Sequence, residues 1–178
     1  EIGILQSLRE VPGFLAFTTV FVLLILREQT FAVFSLALLG VGVAATGFFP
    51  TEYGLYFTTV LMSIGFHYFE ATKQSLSLQW LSKEEAPAVL GKLIAVGSIT
   101  SLVVYSAMWI LLEVFALDYI WNFLLAGGVC TALALVMWLG FPHFPAKTTQ
   151  NKSLVLRKRY WLYYVLTFLS GARRQIFV

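Results

Sequence analysis

The stretch YGLYFTTVLMSIGFHYFEATKQSLSLQW, residues 53–80, is mostly apolar, yet it carries His67, Glu70 and Lys73. Polar residues at helical spacing are Thr59, Ser63, His67, Glu70, Gln74 and Ser77. Steps of four, four, three, four and three trace one face of an α-helix, whereas a strand would alternate with a period of two. The other faces are dominated by Leu, Phe, Ile, Val, Met and Tyr. A helix with a narrow polar stripe and greasy flanks belongs in lipid, with the stripe turned inward. From Tyr53 to Trp80 such a helix measures about 40 Å, enough to cross a bilayer with some tilt, and its midpoint falls near Phe66 and His67. An ionised side chain at that depth costs about 2.5–3.5 kcal/mol even on the lenient insertion scale. Two arrangements avoid the cost. The stripe can line a wet cavity, or His67, Glu70 and Lys73 can form a satisfied internal network with Lys73 snorkelling to the surface. Depth favours the cavity for His67 and Glu70; for Lys73, close to Trp80, the two stand level.

The rest of the chain agrees with a lipid solvent. Of its 178 residues 59% are hydrophobic and 12% charged, with a mean hydropathy of +0.82. Soluble domains are about 45–50% apolar and about 25% charged. The net charge of +3 is small and its basic residues cluster between apolar runs, which argues against a nucleic-acid surface. Cys130, the one cysteine, excludes an internal disulfide framework and a paired-cysteine metal or redox site. No cofactor is implied. The chain starts at Glu1 with no charged region before a short apolar core, so no cleavable signal is expected, and apolar ends suggest a piece of a longer protein.

Apolar runs at roughly 3–26, 31–49, 53–80, 92–115, 119–141 and 160–178 predict six transmembrane helices in an all-α polytopic membrane bundle. A β-barrel would show alternating segments of about ten residues, and these runs are far longer. Connections after the first, third and fifth runs hold Arg27, Lys83, Lys92, Lys147, Lys152, Arg157, Lys158 and Arg159; the opposite ones carry Glu52 and Asp118 and no basic residue. The excess of positive charge places loops 81–91 and 142–159 in the cytoplasm of a plasma or inner membrane. Trp80, Trp138 and Trp161 then fall at cytoplasmic ends, and Tyr53, Tyr56, Trp109, Tyr119 and Trp121 at outer ends. Small residues one turn apart, at Gly40 and Ala44, Gly97 and Ser101, and Ala126, Cys130 and Ala134, permit close helix contacts.

Further charges lie inside the runs. LQSLREVPGF in the first run contains Gln6, Arg9 and Glu10; Arg9 is about 27 Å from Arg27, hence toward the outer end. Ser7 and Glu10 have capping-box spacing, which would start a helix at the interface, whereas Pro12-Gly13 suggests a kink within a span. Both placements stay open. Arg173 and Arg174 in LSGARRQIF lie about 20 Å beyond Arg159, and adjacent residues point about 100° apart, so at least one must face the bundle interior. There it could meet Glu10, Glu70 or an anionic solute. Ser98, Ser101 and Tyr105 form a weaker stripe in the fourth run, where bonds to the local backbone explain them equally well.

The order of runs, with LSKEEAPAVLGKLIAVGSITSLV entering the fourth helix and IGILQSLREVPG opening the first, resembles the major facilitator superfamily. The resemblance covers helices two through seven of that family's twelve. It makes 1–141 five helices of the N-terminal half, 142–159 the central cytoplasmic loop and 160–178 the first, incomplete helix of the C-terminal half. The family's charged signature between helices two and three is reduced to LREQT, and the proline signature of many antiporters is missing from GKLIAVGSITSLVVYS. The family rocks two halves about a midplane site. The resemblance therefore implies alternating-access transport of a small solute, coupled to an ion, with the remainder of its own chain and the lipid bilayer as partners. Protons are the expected coupling ion, since a buried carboxylate titrates high and a histidine near neutrality. The expected pathway residues are Arg9, Glu10, Ser63, His67, Glu70, Gln74, Arg173 and Arg174. A channel or a non-transporting sensor would use the same bundle. An enzyme is disfavoured: Ser170-Gly171 lacks the glycine of an intramembrane serine nucleophile, His143 lies outside the spans beside prolines, no paired-histidine metal motif occurs, and Asp118 is the sole aspartate.

Overall fold

The computed structural model describes residues 2–142 and 157–166, and among them every regular element is helical. Arg173, Arg174, His143, Lys147, Lys152 and Ser170-Gly171 fall outside the described residues. The first run does not form one straight helix. α1 (Ile2–Phe14) contains Pro12, gives way to a 3-10 turn at Leu15–Thr18, and resumes as the single turn α2 (Thr19–Val22). Proline removes a backbone donor and its ring crowds the preceding turn, so a bend follows.

α3 (Glu28–Thr46) and α4 (Glu52–Trp80) form an antiparallel hairpin. Thr51 caps α4 by accepting a hydrogen bond from the Gly54 amide at 3.2 Å. After Trp80 the chain turns through a reciprocal box: Ser82 Oγ donates to Glu85 Oε2 at 2.7 Å and accepts from the Glu85 amide at 3.2 Å. α5 (Ala86–Trp109) starts there with a proline in its first turn and ends in a π-helical stretch, Ile110–Val114. Ala116, at φ 48°, reverses the chain into α6 (Tyr119–Gly140). Asn122, almost fully buried, donates to the carbonyls of Leu117 and Asp118 at 3.2 and 3.3 Å and so braces this turn.

Three helices among the described residues, Glu28–Thr46, Ala86–Val114 and Tyr119–Gly140, are long and apolar enough to cross a membrane. α4 has the length, but its polar stripe lowers its hydropathy; the first run is broken.

α3 lies at the centre, packed on one side by α4 and on the other by α6. The contacts are backbone-close. A Cβ on Gly42 would sit 2.8 Å from the Met62 amide nitrogen, and one on Gly65 would collide with the Leu39 backbone. Gly40 faces Thr131 and Gly127, while Gly127 abuts Ala44 and Gly40. Small residues allow this approach. The interior is accordingly rich in hydroxyls: Thr46, Thr58, Thr59, Ser63 and Thr72 are buried. Thr46, Thr58 and Thr72 bond back to carbonyls four residues earlier at 2.7–3.1 Å. Large apolar side chains, Phe21, Phe57, Leu102, Val129 and Leu139 among them, point outward. This reverses the layout of a water-soluble core. α5 is the extreme case, with no buried residue along its length.

Candidate functional site

The polar stripe of α4 is partly covered by α1, and the covering depends on the bend. Pro12 has no amide hydrogen and its ring disturbs the preceding turn; one turn back, the carbonyl of Arg9 accepts the Ser63 hydroxyl. The carbonyl that loses its partner to Pro12 is that of Leu8, four residues back, so the Ser63 hydroxyl on the Arg9 carbonyl is an added contact between the two helices and not a replacement for the missing bond. One turn further along α4, the His67 ring lies against Gly13: a Cβ there would come within 2.7 Å of Cε1 and 3.0 Å of Nε2. The His67 ring also meets Phe66 edge-on, with centroids 5.2 Å apart. Beyond the bend, Thr18 Oγ1 and the Tyr68 hydroxyl share a hydrogen bond of 2.6 Å. Ser63, His67 and Tyr68 thus clamp the kink of α1 from one side.

Below this clamp α1 no longer covers the stripe. Glu70 and Lys73 form an ion pair one turn apart, with 45% and 48% of their side chains exposed. Gln74 is exposed, and Ser77 donates to the Lys73 carbonyl at 2.8 Å. The stripe therefore divides into a covered half, Thr59, Ser63 and His67, and an open half, Glu70, Lys73 and Gln74.

Arg9 and Glu10 form their own ion pair at 3.2 Å, both half-exposed. Ser7 lies inside α1 and donates to the Gly3 carbonyl at 2.8 Å, so the capping-box arrangement with Glu10 does not occur. Of the expected pathway residues, Arg9 touches Ser63 through its main chain alone; Glu10 points to Arg9 and not to the α4 charges. Ser98 and Ser101 bond to the Ile94 and Gly97 carbonyls of their own helix at 3.0 and 2.9 Å. Gly13 and Tyr68 are site residues the stripe pattern missed. Gly13 carries no polar group, and its signal was its place after Pro12 opposite a histidine on another helix.

No group of three or more His, Cys, Asp or Glu side chains suited to a metal occurs among the described residues. The chain matches no known family model, no curated protein and no solved structure.

Proposed function

We propose that the chain is part of a secondary transporter of the major facilitator type, a multi-pass membrane protein in which six helices of this chain belong to a twelve-helix fold. The observation that carries this proposal is the divided stripe of α4: His67 seated against Gly13 at the bend of α1, and Glu70 with Lys73 one turn on, about half-exposed and beyond the cover of α1. A histidine and a carboxylate on one helix face, at the depth where burial is most costly, suit proton coupling better than a purely structural role. Solute would pass over the open half of the stripe, with Arg173 or Arg174 as the fixed cation for an anionic group. The bent helix beside it supplies the element that moves in alternating access. The inside-out distribution of side chains supports membrane residence, and the basic connections support cytoplasmic loops at 81–91 and 142–159.

The experiment is uptake and proton flux by the full-length protein in sealed vesicles, comparing the natural sequence with Glu70→Gln and His67→Gln. Saturable uptake that responds to pH, with the response lost in either variant, is the expected outcome. Unchanged pH dependence in both removes these residues from coupling. Linear, non-saturating flux would identify a channel, and ligand binding without flux a sensor.

A further inference from the structure

Where the hairpin of α3 and α4 meets the end of α6 lies a cleft of about 240 Å³. Val33, Phe69 and Met137 give it an apolar floor, Leu76 lies at the level of the polar groups, and Trp80 and Phe141 stack at its rim with centroids 6.4 Å apart. The polar groups are few: Gln29, Thr30, Lys73 and Ser77. The antiparallel register fixed by Gly42 on Met62 and Gly65 on Leu39 carries Gln29 and Thr30 to the level of Lys73. Polar wall and apolar floor are therefore separated in depth. Phe69 lies one turn, about 6 Å, deeper than Lys73.

The polar wall is made of donors. Lys73 has three N–H groups and uses one on Glu70. Gln29 Nε2 is buried without a hydrogen-bond partner. Gln29 and Thr30 belong to the first turn of α3, whose Arg27 cap makes no side-chain bond to it. Unmade donors and the positive end of a helix attract anions. Two carboxylates are near. Glu70 is held by Lys73. Glu28, in the first turn of α3 itself, accepts from Gln79 Nε2 at 2.5 Å through Oε2 while its Oε1 is buried without a partner; neither carboxylate lines the cleft.

We propose that this cleft seats one anionic phospholipid, with its phosphate on Lys73 and the first turn of α3 and the start of one acyl chain on Val33, Phe69 and Met137. An apolar floor ending in a ring of donors matches an amphiphile with one charged head, and basic pockets between membrane helices on the cytoplasmic side bind acidic headgroups. A small soluble anion would leave the floor unused, and a zwitterionic lipid, although it has a phosphate, brings its own cation to the side of Lys73, which lowers the net attraction. The proposal needs membrane residence and does not depend on transport.

The cleft carries its own reporters, because Trp80 and Trp138 both line it. Replacing Trp109, Trp121 and Trp161 by Phe leaves those two as the only tryptophans. This variant is placed in phosphatidylcholine nanodiscs holding a minor fraction of either brominated phosphatidylglycerol or brominated phosphatidylcholine, and fluorescence quenching is compared. The expected result is local enrichment of the anionic lipid by about fivefold, the scale of one lysine near a membrane surface. Lys73→Gln should abolish that preference, while Lys73→Arg and the loop variant Lys83→Gln should retain it. Equal quenching by the two lipids overturns the proposal, as does no quenching by either, which would mean that protein fills the cleft. A preference surviving in Lys73→Gln overturns it too.

Discussion

A side chain on Gly127 would press into the α3 backbone at Ala44 and Gly40, whereas the adjacent Gly128 faces open space. The two glycines form a matched pair for testing how tightly α3 and α6 are joined. Gly127→Ala should destabilise by about 1–3 kcal/mol, the range for forcing extra atoms into a packed contact. Gly128→Ala should stay within about 0.5 kcal/mol. Thermal or denaturant unfolding in detergent, followed by loss of helical signal, separates them. Small-residue spacing in the sequence pointed to Ala126, Cys130 and Ala134; Ala134 is buried and Cys130 Sγ donates to the Leu36 carbonyl of α3 at 3.5 Å, whereas Ala126 is exposed and the closest approach runs through Gly127 and Thr131. Periodicity indicates that α6 has a close-packed face. The register of that face is set by what α3 offers opposite, Gly40 and Ala44, which lies in a distant part of the chain. The clamp on α1 is likewise local and testable. Ser63→Ala removes the hydroxyl on the Arg9 carbonyl and should cost about 0.6 kcal/mol, the average for side-chain bonds between membrane helices. Gly13→Val should push α1 away from His67 and change the chemical shift of its ring. His67 and His143 are the two histidines, so a His143→Asn background leaves a single signal to follow by NMR.

Elements differ widely in how much each relies on its neighbours. Phe31 of α3 is buried and lies 5.5 Å from Tyr68 between ring centroids, while Leu102 of α5 is 68% exposed. Phe31→Ala should therefore cost about 3–5 kcal/mol, and Leu102→Ala less than about 0.5 kcal/mol, in the same unfolding measurement. The turn between α5 and α6 holds Ala116 in the left-handed region, which costs an L-residue about 1–2 kcal/mol. Ala116→Gly should relieve part of that and raise the unfolding midpoint. Helix positions were readable from run length and polarity: the runs 53–80, 92–115 and 119–141 correspond to Glu52–Trp80, Ala86–Val114 and Tyr119–Gly140. The break after Phe14 was legible only as Pro12-Gly13. Its extent through Leu15–Thr18 depends on Ser63, His67 and Tyr68 of α4, which no local pattern in the first run contains. The cleft beside Lys73 was hidden for the same reason, since Gln29, Lys73 and Phe141 converge from three separate helices.

For the molecule as a whole, the proposed orientation is checked with single cysteines in a Cys130→Ala background. Lys83→Cys should resist an impermeant thiol reagent added to intact cells and react after the membrane is opened, whereas Glu52→Cys should react from outside at once. The reverse pattern would invert the molecule. The uneven hydropathy of α3 and α4 has a further consequence, for how the protein is made. With His67, Glu70 and Lys73 along its length, α4 carries centre-of-helix penalties of about 2.5–3.5 kcal/mol for each ionised group, and alone it should enter a bilayer poorly during synthesis. α3 carries no charge beyond Glu28 in its first turn, reaches α4 through the brief link 47–51, and offers Ser35, Leu39 and Gly42 as a ready seat. In the proposed membrane protein the pair would leave the translocon together, the greasier partner escorting the wetter one. A glycosylation-site assay of α4 in a neutral host protein, with and without α3 ahead of it, should show insertion rising when the escort is present.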